Sequence, residues 1–169
     1  MRNLEAKFRL DDLAQARRRA LALGYTERAV LRQRDTFFRS AIGKLKLREE
    51  GSRAMLIHYD RHAAEELQLS SYQIVEIVDP GNTRALLAAA LGVIAEVRKE
   101  RTLLTRANVR LHLDRVEGLG GFGEIEALIA DGEDPGHSRA AVDELLAVLQ
   151  VGGESLIDAS YFELARQRG

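Results

Sequence analysis

The chain has 169 residues, and its 25 lysines and arginines nearly balance its 26 aspartates and glutamates, which gives a formal net charge of -1. This length is typical of one domain, residues 1–169, with a sizeable hydrophobic core. The balanced charge does not indicate a DNA-binding protein, and the absence of cysteine excludes disulfides, thiolate metal sites and a cysteine nucleophile.

The sequence contains no segment typical of a membrane protein. Its longest apolar run begins at Leu86, is interrupted by Gly92 and is far too short to span a bilayer. No signal peptide opens the chain. We therefore expect a cytoplasmic protein that does not enter a membrane.

The hydrophobic periodicity, the turn residues and the helix caps predict an antiparallel α+β domain with about eight strands. The predicted elements show no regular strand–helix alternation, and no long linker divides them. In chain order the sequence predicts a strand at 2–10, a helix at about 12–23, strands at 30–38, 44–50, 53–59 and 72–78, a helix at 83–91, strands at 94–104, 108–114 and 122–129, a polar loop at 131–136, a helix at 138–150 and a short helix capped by Ser160.

Two segments of the chain are similar to each other. LRQRDTFF and the following AIGKLKLR align without a gap on VRKERTLL and ANVRLHLD. The match suggests two similar hairpins, each preceded by a helix and a Leu-Gly step. The identities join Arg32 to Arg98, Thr36 to Thr102, Ala41 to Ala107, Leu45 to Leu111 and Leu47 to Leu113.

At least five predicted strands combine an apolar face with a charged face. A single strand of this kind would ordinarily turn its charges toward solvent, and a structural domain with exposed charged strands is one interpretation. The charged faces hold Glu5 and Lys7; Lys44, Lys46 and Arg48; Lys99 and Arg101; Arg110, His112 and Asp114; and Glu124 and Glu126.

The amphipathic helices favour a second interpretation, in which the charged faces line a tunnel. A sheet that is covered by helices outside and closed on itself has its other face inside. Basic residues converging on such a lumen suit a polyanion, and grouped carboxylates suit Mg²⁺ or Mn²⁺ better than zinc. A triphosphate bound with its metal satisfies both requirements.

Several motifs, in the same order, resemble the CYTH superfamily of triphosphate tunnel metalloenzymes, and most closely its class IV adenylate cyclase-like branch. The similarity covers about residues 2–130, with a weaker echo in SYFEL near the C-terminus. The motifs are NLEAK from Asn3, RQRDTFF, KLKLRE, VRKER, NVRLHLDRVEGLG and GFGEIE.

The resemblance implies an α+β fold with an eight-stranded antiparallel, closed or nearly closed β-barrel, with helices packed outside. It also implies a metal-dependent reaction on triphosphates. Position by position, it implies Glu5, Asp114, Glu124 and Glu126 as metal ligands; Lys7, Lys46, Arg48, Lys99, Arg101 and Arg110 as phosphate-binding residues; and Glu5, Lys7, Lys99 and Arg101 as catalytic residues.

The opening motif departs from the family pattern at Asn3, where the first acid of ExExK is expected. An amide oxygen can orient water but supplies no charge, which puts the metal affinity or the number of bound metals in doubt. In the middle strand, where relatives often have lysine, this chain offers only His58 and Arg61.

Three classes of function remain open at this stage. The first is an enzyme, either a cyclase that converts ATP to cyclic AMP and pyrophosphate or a triphosphatase that hydrolyses tripolyphosphate, thiamine triphosphate or a nucleoside triphosphate. The second is a catalytically weak nucleotide or polyphosphate binder, which is suggested by the uncharged Asn3 in place of an acid. The third is the structural domain with solvent-exposed charges. Exposed strand edges and the C-terminal helix leave room for a homodimer.

Overall fold

The computed structural model describes residues 2–61, 70–130, 132 and 134–166, except the side chains of 2, 3, 60, 61 and 70–72. The strands are β1 (Arg2–Arg9), β2 (Thr26–Phe38), β3 (Lys44–Glu50), β4 (Arg53–Arg61), β5 (Ser70–Glu76), β6 (Val93–Arg106), β7 (Val109–Val116) and β8 (Gly120–Ile129). The helices are α1 (Leu13–Ala22), α2 (Pro80–Leu91), α3 (Pro135–Leu149) and α4 (Tyr161–Arg166), with a 3₁₀ turn at Gly153–Ser155.

The eight strands form one antiparallel sheet in the order β1-β8-β7-β6-β2-β3-β4-β5. Within the described residues, β1 and β5 are the two edge strands of the sheet, and they do not pair with each other. All eight strands nevertheless contribute side chains to one cavity, which a flat sheet could not do. The sheet is therefore curled into a nearly closed barrel, as predicted.

The apolar outer face of the sheet is covered by helices, as the amphipathic patterns predicted. Ala16 and Ala20 of α1 and Val142 and Leu145 of α3 are buried against residues of β1, β7 and β8. Burial of these helix faces turns the alternate, charged residues of the strands toward the inside. No helix in the described part of the chain has the length and apolar character needed to cross a membrane.

The similarity between the two hairpins extends to their strand register. Asp35 lies opposite Arg48 in the β2–β3 pair, and Arg101 lies opposite Asp114 in the β6–β7 pair. The gapless sequence alignment places Asp35 on Arg101 and Arg48 on Asp114. The hairpins thus carry equivalent cross-strand charge pairs with the signs exchanged.

Three elements begin at least three residues earlier than the sequence analysis expected. Helices α2 and α3 begin at Pro80 and Pro135, because Asp79 and Asp134 cap them and proline suits the first helical turn. Strand β2 begins at Thr26 rather than Val30, since its polar first residues pair with β6 across a bulge.

Candidate active site in the tunnel

The lumen of the barrel contains a cavity of about 380 Å³. Every predicted site residue except Asp114 lines this cavity. The charged residues of its wall are Glu5, Lys7, Asp35, Lys46, Arg48, Lys99, Arg101, Arg110, Glu124 and Glu126. Period-two alternation along the strands explains the convergence, because it turns these residues to the face opposite the helices.

Asp114 lies behind the wall and is fully buried. Arg101 donates two hydrogen bonds of 2.7 Å to its carboxylate, and the Tyr161 hydroxyl donates a third of 2.8 Å. Burial alone would raise the pKa of Asp114, but Arg101 and Lys99 lower it below its ordinary value. Asp114 therefore holds Arg101 in place, and a role as metal ligand, which the resemblance implies, would require these hydrogen bonds to break.

Asp35 is a lumen acid that the sequence analysis did not identify. Arg48 donates two hydrogen bonds of 2.7 Å to Asp35, and the Lys46 ammonium lies 3.0 Å from the same carboxylate. Although burial opposes ionisation, Lys46 and Arg48 hold the pKa of Asp35 far below its usual range. Two of the predicted phosphate-binding residues are thus partly neutralised by a protein acid before any anion binds.

Two lysines on the wall have depressed pKa values. Burial lowers the pKa of Lys46 to about 8, although Asp35 beside it acts in the opposite direction. Burial and the neighbouring Arg101 lower the pKa of Lys99 to about 7, against the attraction of Asp114. An anion placed beside either ammonium would favour its protonated form, so both lysines are suited to respond to a bound polyanion.

Glu124 joins the basic part of the lumen to its acidic part. It lies opposite Lys7 in the β1–β8 register, and the Lys7 ammonium is 3.4 Å from its Oε1. Arg101 donates a 2.9 Å hydrogen bond to the other oxygen. Burial raises the pKa of Glu124, but interactions with His112 and these two cations hold it well below the ordinary value, so the carboxylate is ionised.

One compact group of possible metal ligands is found among the described residues. Ligand atoms of His112, Glu124 and Glu126 all lie within 4.8 Å of one another. Glu5 lines the same cavity and faces Glu126 in the register of β1 and β8, but it is not part of this compact group. Carboxylate oxygens beside an imidazole fit a divalent cation. The side chain of Asn3 lies outside the described residues.

Helix α4 contributes an aromatic side chain to which the sequence analysis assigned no role. The ring of Tyr161 lies 4.4 Å below the Lys7 ammonium and 4.9 Å from that of Lys99. Ser160 and Glu163 form reciprocal hydrogen bonds at the start of the helix, and Glu163 also binds Lys44 at 3.0 Å. These contacts hold Tyr161 in the cavity wall between the two lysines.

Part of the cavity wall is apolar. Apolar side chains make no favourable contact with an inorganic polyphosphate, whereas they can pack against an organic group. The apolar and aromatic lining residues are Phe37, Ile57, Tyr59, Ile74, Val97, Leu128, Tyr161 and Phe162.

The fold and the charged lumen define a triphosphate tunnel protein. The chain belongs to the CYTH family, since the family model of the CYTH domain matches residues 1–161. The resemblance noted in the sequence is thereby confirmed, and members of this family bind triphosphates and use divalent metals.

Individual relatives resemble the chain over nearly its whole length. A Methanocaldococcus jannaschii protein described as a candidate adenylate cyclase is 25% identical, over 97% of this chain and 98% of its own. The PH1012 protein of Pyrococcus horikoshii has a TM-score of 0.82 and 22% identity, covering 96% and 98% of the two chains. The Hippeastrum protein HpAC1, described as an adenylyl cyclase candidate with a dominant triphosphatase activity, has a TM-score of 0.71 and 18% identity, covering 99% of this chain and 96% of its own.

Proposed function

We propose that this protein is a metal-dependent enzyme that binds a nucleoside triphosphate in the tunnel and cleaves it, with cyclisation of ATP to cyclic AMP and pyrophosphate as the first candidate reaction. The observation that carries this proposal is the convergence of six basic residues and a carboxylate group on one lumen. The basic residues are Lys7, Lys46, Arg48, Lys99, Arg101 and Arg110.

The charge balance of the wall supports binding of a polyanion together with a cation. On the cavity wall the basic residues outnumber the acidic residues Glu5, Asp35, Glu124 and Glu126. A triphosphate compensates the buried positive charge, and a divalent ion compensates the carboxylates. A neutral substrate would satisfy neither group.

The positions of the cations support different tasks for them in this proposal. Arg101 is held rigidly by Asp114, so its guanidinium is preorganised toward a phosphate without further ordering. Lys7 and Lys99 flank the Tyr161 ring and are placed to contact neighbouring phosphates. Arg110 is the most exposed of the group and is suited to guide the anion into the tunnel.

In the proposed cyclase reaction, the ribose 3′-hydroxyl oxygen forms a bond to the α-phosphorus while the bond from this phosphorus to the bridging oxygen breaks. Pyrophosphate leaves with the bridging oxygen, and the hydroxyl proton passes to solvent water. Glu124 and Glu126 would hold the divalent ion, which supplies neutralisation of the phosphate charge when bound. Lys99 and Arg101 would stabilise the charge that develops on the phosphate oxygens and on the leaving group.

A triphosphatase reaction is the second candidate, with water as the nucleophile and the terminal phosphorus as its target. Two observations bear on the choice between the reactions. The apolar wall, with Ile57, Ile74 and Leu128, favours a substrate that carries an organic group. The description of HpAC1 as having a dominant triphosphatase activity favours hydrolysis in a protein of the same fold.

The test is to incubate the purified protein with Mg²⁺ or Mn²⁺ and either ATP or tripolyphosphate, and to separate cyclic AMP, pyrophosphate and orthophosphate. Cyclic AMP with an equal amount of pyrophosphate supports the cyclase. Orthophosphate without cyclic AMP, formed together with ADP from ATP or with pyrophosphate from tripolyphosphate, supports the triphosphatase. Tight binding without any product would instead support the catalytically weak nucleotide or polyphosphate binder that Asn3 suggests.

A pair of matched variants assigns any activity to the tunnel. Glu126→Gln should abolish turnover without loss of stability, because Glu126 belongs to the carboxylate group. Glu100→Gln should leave turnover unchanged, because Glu100 alternates with the lumen residues of β6 and pairs with the exposed Arg32. Equal effects of both changes would contradict the proposed site.

A further inference from the structure

His112 is buried beside the lumen carboxylates Glu124 and Glu126, and one of its ring nitrogens is unsatisfied. Only 7% of the residue is exposed, and Nδ1 has no hydrogen-bond partner among the described residues. This nitrogen lies 3.8 Å from a carboxylate oxygen of Glu124 and 3.8 Å from one of Glu126. Both distances exceed a hydrogen bond, and a buried polar atom without a partner calls for a specific explanation.

The arrangement is fixed by strand pairing rather than by loops. His112 of β7 lies directly opposite Glu124 of β8, and Glu126 lies opposite the neighbouring lumen residue Arg110. The two strands form a continuous ladder, so the three ligand atoms converge through backbone geometry alone. Two neighbouring ligands of an octahedral ion at bonds of about 2.1 Å are separated by about 3 Å. His112 is 3.8 Å from each carboxylate, and the three ligand atoms lie within 4.8 Å of one another, so the side chains must move inward when an ion binds.

Glu124 can bind a metal ion while it keeps its contacts with Lys7 and Arg101. Lys7 approaches one oxygen and Arg101 the other, but each carboxylate oxygen offers two acceptor sites. Within the described part of the chain, Glu126 forms no ion pair with a lysine or arginine, and its ion-pair contact is with His112. The oxygens that face His112 therefore remain available to a cation.

We infer that Nδ1 of His112 is a direct ligand of the divalent ion at Glu124 and Glu126, and that this nitrogen makes the site selective for a first-row transition ion over Mg²⁺. The inference rests on the metal site of the proposed function and deepens it. Magnesium takes oxygen ligands almost exclusively, whereas imidazole nitrogen binds transition ions well. The carboxylate motif alone does not discriminate in this way.

The test uses the full chain with Mn²⁺ alone as the probe. Pulsed electron paramagnetic resonance of the bound Mn²⁺ should show the coupling of a directly coordinated ¹⁴N nucleus. Affinities for Mn²⁺ and Mg²⁺ are measured on the same samples by titration, Mg²⁺ through its competition with Mn²⁺. His112→Gln should remove the nitrogen coupling and weaken Mn²⁺ binding by about tenfold or more. The same change should alter Mg²⁺ affinity by less than about threefold, because oxygen ligands remain.

His58→Gln is the matched control, because His58 bonds the carbonyl of Ile42 and does not belong to the group of His112, Glu124 and Glu126. It should preserve the nitrogen coupling and both affinities. The absence of nitrogen coupling in the unmodified protein would overturn the inference, whatever the stability of the variant. An equal loss of Mn²⁺ and Mg²⁺ affinity in a folded His112→Gln protein would do so as well.

Binding of tripolyphosphate, measured separately, distinguishes this inference from the proposed function. Triphosphate binding with an ion held only by oxygen would refute the role of His112 and leave the function intact. Nitrogen-coordinated Mn²⁺ without any triphosphate binding would support His112 as a ligand and refute the function.

Discussion

Asp35 accepts two hydrogen bonds of 2.7 Å from Arg48, directly opposite it on the neighbouring strand. The equivalent residues of the second hairpin, Arg101 and Asp114, form the same two-bond contact with the charges exchanged. Each hairpin thus contains an aspartate that neutralises the arginine on its partner strand. The tunnel can therefore bury a dense set of cations before its ligand arrives.

Asp35→Asn should lower the stability of the fold and raise its affinity for tripolyphosphate. Arg48 and Lys46 lose their shared partner, and leaving buried cations without a counterion lowers the free energy of unfolding by about 3 kcal/mol. The same change makes the lumen more positive, so tripolyphosphate should bind severalfold more tightly. Chemical denaturation and calorimetric titration measure the two effects. Weaker tripolyphosphate binding by a folded variant would contradict the competition between Asp35 and the ligand.

Asp143→Asn is the control for this change. Asp143 pairs with Arg139 on the exposed side of α3, where both side chains are more than half exposed. Ion pairs of this kind contribute little to stability. The control should change neither the denaturation midpoint nor tripolyphosphate affinity.

Asp114→Asn tests whether Asp114 orients Arg101 or binds metal. If it orients Arg101, the variant should lose about 3 kcal/mol of unfolding free energy while Mn²⁺ affinity changes by less than about twofold. Tyr161→Phe, which removes only the 2.8 Å hydrogen bond to Asp114, should have a smaller effect of about 1 kcal/mol. A large loss of Mn²⁺ affinity in a stable Asp114→Asn protein would restore Asp114 as a ligand.

Triphosphate affinity should fall as the pH rises from about 7 to 9. The pKa values of Lys99 and Lys46, about 7 and about 8, lie below the ordinary lysine value, and a bound anion raises them. Binding therefore takes up protons, which calorimetry in buffers of different ionisation enthalpy detects. Lys99→Arg should reduce the uptake, since arginine stays charged. Identical heats in all buffers at pH 8 would show that neither lysine gains a proton.

The same depressed pKa values have a consequence for the ligand-free protein. Between about 7 and the ordinary lysine value, the folded state binds fewer protons than the unfolded state. The contribution of Lys99 to the free energy of unfolding therefore rises with pH in this window. The Lys99→Arg variant should lack that rise in pH-dependent denaturation. An equally steep rise in the variant would assign it to another group.

Gly123→Ala should displace the strand that carries Glu5 and Lys7. A Cβ at Gly123 would overlap the ring of Phe8, which is fully buried. Overpacking of this kind typically lowers the free energy of unfolding by about 1–3 kcal/mol, measurable by denaturation. Gly153→Ala, where a Cβ meets open space, should leave stability nearly unchanged. A Gly123→Ala protein with full stability would show that Phe8 can move aside.

The sequence predicted the barrel and most of its wall because period-two alternation is a local signal. Lys46 and Arg48 flank Leu47 within one strand. Lys99 and Arg101 instead alternate with charged residues, so one face of that strand is basic whichever way it points. The structure brings them to the same cavity. Their roles as metal ligands, phosphate-binding residues or catalytic residues stay predictions.

The residues that sequence reasoning missed depend on contacts between distant segments. Asp35 is recognisable as a lumen acid only once Arg48 is known to lie opposite it. Tyr161 enters the wall through a helix that follows the barrel strands by more than thirty residues. Pro135 lies in the predicted polar loop at 131–136, although an aspartate followed by proline is also a helix start.

The most direct test of the tunnel as a triphosphate site is a crystal structure with Mn²⁺ and α,β-methylene ATP. We expect phosphates in the lumen in contact with Lys7, Lys99 and Arg101, and an anomalous manganese signal between Glu124 and Glu126. A ligand bound outside the barrel, or an empty lumen at saturating ligand concentration, would contradict it.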